Sequence, residues 1–426
     1  MLEVEKLLSD LIKINTVNPP GNETGVAQYL KRLFDENKIP NETMGPTPER
    51  HSFVASIGQG KKSLFYLAHT DVVPVAEGWD FPPFSGDIKD GFIYGRGALD
   101  CKGLTSAEAV ATLNLAKGGK LKGKLIFGAS AGEETGGVAG AKFLADNYLN
   151  KIKADYTLTE GGWEPLTING KVCHFIQVGE KGTLRFRLRT KGVSAHSSLP
   201  TLGDNAVVKM VRVFTSLGNY KPEIRVSPEV AELVQNIAKL EGYKGMVTEK
   251  NIDDFIAKQE DKMLGAYISA LTRMTIGPDV IHGGIKANII PDLCEAEVDI
   301  RMLPGETDKS TMKTLAPMLE SAEWEVFQYS APNFTTANTE FYKLIVSTLK
   351  EFVGDAQVLP CLSSGATDSR HLRPIGILCY GINMMTLNLD PAMGHSVHGR
   401  NEKIDIASLK LKTEFLTRLA ERYLNG

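Results

Sequence analysis

Apolar positions recur at helical spacing over roughly 3–14 and 23–37, then change to a strand pattern at His51–Ile57. After the turn GQGKK comes SLFYLA (63–68), a nearly continuous apolar run. Such a run fits a strand covered on both faces, as inside a parallel sheet. Further along, the pattern predicts a helix at about 102–116, a strand at 124–130, a helix through GGVAGAKFLADNYL and a strand at Asp155–Thr159. Strands alternating with helices predict an α/β fold, with a mostly parallel central sheet flanked by helices.

Near Lys181 the pattern changes. TLRFRLRT (183–190) alternates strictly, burying one face and presenting Arg185, Arg187 and Arg189 on the other. A helix is expected to open at Asp204 as N-cap, with Val207, Val211 and Phe214 at helical spacing. A charged, helical stretch at about 224–265 precedes strands near 271–276 and 293–302, a helix near 306–320 and a strand at Glu323–Tyr329. Without the 224–265 insertion the order is β-α-β-β-α-β, the ferredoxin-like split. The α/β style then resumes, with a helix at 339–352 and a strand at Ile375–Tyr380. The expected organisation is an α/β domain in two parts, 1–180 and 331–426, carrying an inserted α+β domain at 181–330.

The length of 426 residues agrees with two domains, and the net charge of −3 gives no reason to expect nucleic acid or an anionic membrane as a partner. The opening MLEVEKLLSDLIKINTVNPPGN reads as an amphipathic helix without the basic and apolar blocks of a signal peptide, and no later run approaches a membrane span. Five scattered cysteines with no CxxC suit a reducing cytoplasm and argue against a cysteine-based zinc site. The expected location is cytoplasmic.

Open parallel sheets place their sites beyond the carboxyl ends of the strands. Here SLFYLA ends in His69-Thr70-Asp71, LIFGAS in Glu133-Glu134 and DYTLT in Glu160, while the loop between the first two ends in Asp100 at the mouth of a helix. Each has an ordinary reading taken singly: Asp100 as an N-cap, the two glutamates as solvated acids, His69 as a core histidine, Glu160 as a turn residue. None of these explains why all of them arrive at one sheet edge. A divalent cation does, because carboxylate and imidazole suit zinc and its neighbours in the first transition series. Asp100, Glu134, Glu160 and a histidine carry more negative charge than one ion needs, so two ions are expected. Asp71 is placed to accept the other ring N–H of His69. A second histidine should come from GHSVHGRNE, which offers His395 and His398. Glu134 is then a ligand, and Glu133 stays free beside a water that the metals activate.

HTDVVP, GRGALDCKG, GEETGG, TEGG, GVSAHSSLPTLGDNA, KANIIPD…DIR and HGRNE, in this order along nearly the whole chain, resemble the zinc amidohydrolase/peptidase family that includes acetylornithine deacetylase, succinyl-diaminopimelate desuccinylase, aminoacylase and glutamate carboxypeptidase. The resemblance implies a di-zinc peptidase-like fold with a lid and dimerisation domain, and a homodimer formed through that lid. It implies cleavage of the amide bond of an N-acyl amino acid or short peptide, with two Zn2+ per chain; Co2+ and Mn2+ fit the same ligands. Asp100 would bridge the two ions, roughly 3.5–4 Å apart in such sites. His69 and Glu160 would complete one ion, Glu134 and His398 the other. Glu133 would be the general base, with Asp71 behind His69. His196 would polarise the scissile carbonyl in the partner subunit. Asn288 and Arg301 would grip a substrate carboxylate, although Arg301 shares its strand face with Glu295, Glu297 and Asp299, and a cross-strand ion pair is the rival. Gly365 and Thr367 fall in SSGATDSRH, similar to the family's Gly-rich substrate loop. One departure stands out: bacterial desuccinylases carry an arginine before the lid strand, where this chain has Glu180.

Several rival readings remain. Carboxypeptidases and dipeptidases share the same motifs. GASAG (128–132) satisfies G-x-S-x-G, with Asp368 and His398 later in the chain, so a serine hydrolase using Ser130 is the mechanistic alternative. That reading leaves HTD, Asp100, Glu133-Glu134 and Glu160 without a task. A metal-dependent binding protein would gain nothing from a free Glu133. GQGKKS lacks the first glycine and the GK[ST] order of a phosphate loop and is a turn.

Overall fold

Ser63–His69 is apolar on both sides because it runs through the middle of a sheet, parallel to Lys124–Ser130 on one side and to Tyr156–Thr159 on the other. The computed structural model describes residues 3–119, 121–320, 322–386 and 396–426. His395 lies outside them. Tyr156–Thr159 is in turn parallel to Leu378–Ile382, so the four central strands share one direction. Antiparallel strands flank them, with Ser52–Ile57 against Lys124–Ser130 and Lys171–Glu180 against Leu378–Ile382. Helices cover both faces. Phe65 and Leu67 meet Leu144 and Ile152 on one side. Tyr66, between them, points the other way and donates to the Leu416 carbonyl of the C-terminal helix Ile406–Asn425 at 2.6 Å.

The chain forms two compact units. The first comprises residues 1–178, 335–361 and 367–426. The second comprises 179–334 and 362–366. In the second, an antiparallel sheet runs in the order Thr275–Gly283, Leu293–Met302, Gly182–Lys191, Glu323–Ser330. Leu184, Phe186 and Leu188 pack with Ala296, Val298 and Ile300 against the helices Ala206–Asn219 and Asp308–Leu319. On the opposite face the arginines pair across the strands, Arg185 with Asp299 at 2.6 Å, Arg187 with Glu297 at 2.8 Å and Arg189 with Glu295 at 2.6 Å. The ferredoxin-like order is present, interrupted by helices Pro228–Leu240, Ile252–Ala257 and Lys262–Thr272.

Four of the predicted elements differ in cap, bounds or continuity. The helix Ala206–Asn219 is capped by Asn205, whose side chain accepts from the Val208 N–H, not by Asp204, which pairs with Lys209 instead. The strand expected near 271–276 begins at Thr275, because Asp261 caps a helix that continues to Thr272. The single helix expected through GGVAGAKFLADNYL is broken. Gly136 and Gly137 are left-handed, and a π-helical turn, Val138–Lys142, precedes the short helices Phe143–Asn147 and Leu149–Ile152. The strand expected at Ile375–Tyr380 begins at Leu378, after a turn at Arg373–Ile375 closed by left-handed Gly376.

Candidate active site

Parallel register brings His69, the Glu133-Glu134 turn and Glu160 to one edge, since His69 aligns with Ser130 and Leu67 with Thr159. Glycines then let the chain turn back at close quarters. Gly132 has φ +72, and a Cβ there would lie 2.6 Å from Arg50 Nη2. Gly161 has φ +110, with Gln177 Oε1 2.2 Å from where its Cβ would sit. GEETGG and TEGG are thus constrained by backbone geometry as well as by their acids.

Asp100 arrives on a loop that a second carboxylate holds in place. Fully buried Glu402 accepts from the N–H groups of Leu99 (2.8 Å), Asp100 (3.1 Å) and Gly97 (3.0 Å), and from Arg96 Nη1 at 2.7 Å. Arg96 Nη2 donates to the Gly399 carbonyl at 2.6 Å, tying in the turn that presents His398. His398 itself sits at φ +58, a left-handed conformation costing a non-glycine residue roughly 1–2 kcal/mol, retained where a side chain must be aimed. Glu402→Ala would leave a buried guanidinium and three N–H groups without their acceptor, so a loss of about 3–5 kcal/mol of stability is expected. Denaturant unfolding of this variant against wild type checks it; a change under about 1 kcal/mol would show the clamp to be dispensable.

Asp100 does not cap the following helix, Lys102–Gly118. Its N-cap position is Cys101, which makes no side-chain cap. Instead Asp100 faces two imidazoles, His69 Nε2 at 2.9 Å from Oδ1 and His398 Nε2 at 3.1 Å from Oδ2. Glu160 Oε2 lies 3.4 Å from His69 Nε2, and Glu134 Oε2 lies 3.2 Å from His398 Nε2. Two ligand groups result, His69, Asp100, Cys101 and Glu160 in one, Asp100, Glu134 and His398 in the other, each with donor atoms within 4.8 Å of one another. Asp100 belongs to both.

The electrostatics show what the cluster lacks. Burial raises the pKa of Glu134 and Glu160, with Asp100 adding to the effect and the histidines opposing it. Hydrogen bonds donated to the Asp100 and Glu134 carboxylates push His398 up to about 10. His69 is also raised well above its usual value; burial alone would lower it, but Glu160 and its other neighbours prevail. Protons are held where cations are wanted, and Glu134 Oε1 is buried with no hydrogen-bond partner among the described residues. The donor set fits two divalent ions of the zinc type. Burial, with Glu160 next, drives the Cys101 thiol well up.

Asp71 does more than the sequence reading gave it. Its Oδ1 accepts from the Glu133 N–H at 3.0 Å, and its Oδ2 from the Glu134 N–H at 3.1 Å and Asn18 Nδ2 at 2.8 Å. The nearest acceptor to His69 Nδ1 is the Asp71 backbone carbonyl at 3.0 Å, with Oδ1 at 3.5 Å, so the ring is fixed chiefly by main chain. Glu133 is not free, as the sequence suggested. One of its oxygens pairs with Arg370, whose Nε donates to the Thr367 carbonyl at 2.9 Å. Burial, then Glu160, raises the Glu133 pKa well above the usual range, and Arg370 works against that rise.

With this geometry in view, likeness to known proteins becomes informative. A family profile described as peptidase family M20/M25/M40 matches residues 65–422. The chain belongs to that family. A probable succinyl-diaminopimelate desuccinylase of Staphylococcus aureus (strain MRSA252) is 28% identical over 373 residues, 85% of this chain and 84% of the relative. An M20 family metallo-carboxypeptidase of Sulfolobus solfataricus has the same fold, with TM-score 0.78 and 21% identity over 100% of both chains. A dinuclear metal binding peptidase of Bacillus subtilis matches at TM-score 0.64 and 15% identity, over 99% of this chain and 98% of that one. As an M20-family member the protein is a metal-dependent hydrolase.

The remaining residues singled out in this M20 chain lie as follows. Ser130 is fully buried, and its hydroxyl meets Asp368 Oδ2 at 2.6 Å and the Ala68 carbonyl, with no imidazole against it among the described residues. The serine hydrolase reading fails on that geometry. In the second unit, exposed His196 accepts at Nδ1 from the Ser198 N–H at 3.1 Å, so the neutral ring carries its proton on Nε2. Asn288 is exposed. Arg301 grips Asp299 through Nε (2.7 Å) and Nη2 (3.2 Å) and Thr183 through Nη1 (3.1 Å), so the ion pair anticipated as a rival is present. Gly365 N–H meets Ser363 Oγ at 3.1 Å, and Thr367 is buried. Sequence reasoning missed Arg370, although SSGATDSRH contains it, and missed Arg96 and Asn18. No local signal marks Arg96 or Asn18 as partners of residues so far away.

Proposed function

We propose that the protein hydrolyses the amide bond of an N-acyl amino acid or short peptide with two zinc ions per chain, and works in the cytoplasm as a homodimer joined through the 181–330 domain. The observation that carries this is Asp100 placed between two imidazoles, each with its own second carboxylate. His69, Asp100 and Glu160 would hold one ion, and Asp100, Glu134 and His398 the other. Such ions polarise a carbonyl and make water a nucleophile near neutral pH. Asp71 fixes the turn that presents Glu133, and Glu133 takes the water's proton and returns it to the leaving amine. Arg370 steadies one Glu133 oxygen and leaves the other for the proton. Asn288 and Arg301 bind the substrate's carboxylate, with Arg301 pre-aimed by Asp299, and Gly365 and Thr367 line the substrate loop.

Support for the dimer comes from the second unit taken alone. Its edge strand Thr275–Gly283 and the helix beside it expose Ile281 (43%), Val208 (47%) and Val211 (51%). Five buried free thiols support a reducing compartment, and no helix among the described residues is long and apolar enough to cross a membrane. The name of the Sulfolobus relative makes carboxypeptidase action the second reading.

Metal analysis of carefully desalted protein should approach two ions per chain, and a chelator should abolish activity that added zinc, cobalt or manganese restores. A panel of N-acyl amino acids, dipeptides and longer peptides identifies the bond cleaved. Activity that survives chelation in metal-free protein would end this reading.

A further inference from the structure

The two imidazoles of the site are aimed by different means. His69 stands at the end of a central strand, with Nδ1 3.0 Å from the Asp71 carbonyl. His398 sits in a turn, with a side chain 54% exposed, and among the described residues its polar partners are Asp100 and Glu134, both at Nε2. Where this ring points therefore depends on what holds the turn. Two of its non-glycine residues are left-handed, His398 (φ +58) and Asn401 (φ +59). Arg96 and Glu402 fasten its main chain from one side. A further fastening comes from a loop 321 positions away. The Asp80 N–H donates to Asn401 Oδ1 at 2.9 Å, and Asn401 Nδ2 donates to Asp80 Oδ2 at 2.7 Å. The second of these bonds reaches a charged acceptor, the stronger kind.

Asp80 is exposed, yet its neighbours hold it on both sides. The Arg96 guanidinium lies over the Trp79 ring, 5.2 Å from its centroid, and Phe81 meets Tyr94 edge-on at 5.0 Å. Arg96 is also the cation that binds Glu402 and the Gly399 carbonyl. All these residues belong to the first unit. We infer that Asp80 and Asn401 are positioning residues for His398, a clasp that aims its imidazole at the position shared with Glu134 and Asp100. The inference rests on the two-metal reading above. It makes the clasp selective, because His69, Glu160 and their strands do not depend on it.

Exchanging the two side chains tests this. Asn401→Asp sets two carboxylates against each other, whereas in Asp80→Asn/Asn401→Asp the amide and the carboxylate trade places and both bonds can form again. Asparagine and aspartate both tolerate the left-handed backbone at 401. Competition with a zinc chelator of known affinity reads the two dissociation constants. Asn401→Asp should weaken one ion by about 10- to 100-fold, the usual cost of losing an outer partner of a metal ligand, and leave the other unchanged. The added negative charge would by itself favour a cation, so a loss reports position. The exchanged pair should recover the lost affinity. Wild-type affinity for both ions in Asn401→Asp, equal weakening of both, or an exchanged pair no better than the single variant overturns the clasp. Should wild type bind fewer than two ions, the two-metal reading fails, and histidine-ring NMR of the metal-free proteins still decides this one. A His398 signal that moves in Asn401→Asp and returns in the exchanged pair upholds the clasp; a signal that stays in place refutes it.

Discussion

Glu133→Gln should retain both metals and lose nearly all turnover, whereas Glu134→Gln should lose metal affinity along with activity. The two neighbours differ in what they face. Glu134 lies against His398 in the group that shares Asp100, while Glu133 lies in neither metal-ligand group and pairs with Arg370. Both depend on Asp71 for their main-chain position, which an amide side chain leaves intact. General acid–base catalysis contributes roughly 10²–10⁴-fold, so the Glu133 variant should fall by at least that much. Glutamine at 133 also keeps an oxygen for Arg370, so the loss reports the proton acceptor and not a stranded guanidinium. Metal content measured beside turnover separates the cases. Full metal and comparable activity in both variants would show the assignment to be wrong.

The second large effect concerns His196. With Nδ1 held by Ser198, the ring offers its Nε2–H outward, suited to an oxyanion developing on a carbonyl. Such a donor is worth about 2.7–4 kcal/mol, a factor of roughly 10²–10³ in rate. His196→Ala and Glu133→Ala homodimers should both be nearly inactive. If His196 serves the neighbouring subunit, a mixed dimer has one site lacking both groups and one site with both. Subunit exchange between the two dead variants should then restore up to half the activity per dimer. Should exchange be verified by mass and no activity return, His196 acts within its own chain or not at all.

The parts of this protein legible in its sequence are those set by local pattern. SLFYLA is apolar throughout because Phe65 and Leu67 meet one helical layer and Tyr66 the other, so its place in the sheet follows from composition alone. TLRFRLRT alternates because one face packs on helices and the other carries ion pairs. His69, Asp100, Glu134 and Glu160 stand out because strand ends expose an incongruous charge. By contrast Lys171–Glu180, buried along most of its length, escaped notice, because polar His174, Gln177 and Glu180 interrupt its apolar run. Gln177 is there to accept the Gly162 N–H at 3.1 Å, a partner no window of sequence reveals. Arg370 against Glu133 and Glu402 against Asp100 are likewise long-range, and each changes what the recognised residue does. Glu133 was read as unpaired for lack of the first, and Asp100 as a possible cap for lack of the second.

The Glu402 clamp also bears on how the protein comes into being. Arg96 and Glu402 are 306 positions apart, and the whole second unit, residues 179–334 and 362–366, is made between them. At about 5–20 residues per second of synthesis, Arg96 and the N–H groups around Asp100 wait roughly 15–60 s for their carboxylate. During that interval the His69, Glu134 and Glu160 strands have all left the ribosome, while the loop that joins their two ligand groups has no anchor. The hydrolytic centre is therefore completed only after the intervening second unit has been made. A nascent chain of this enzyme carries its acids early and acquires its chemistry late.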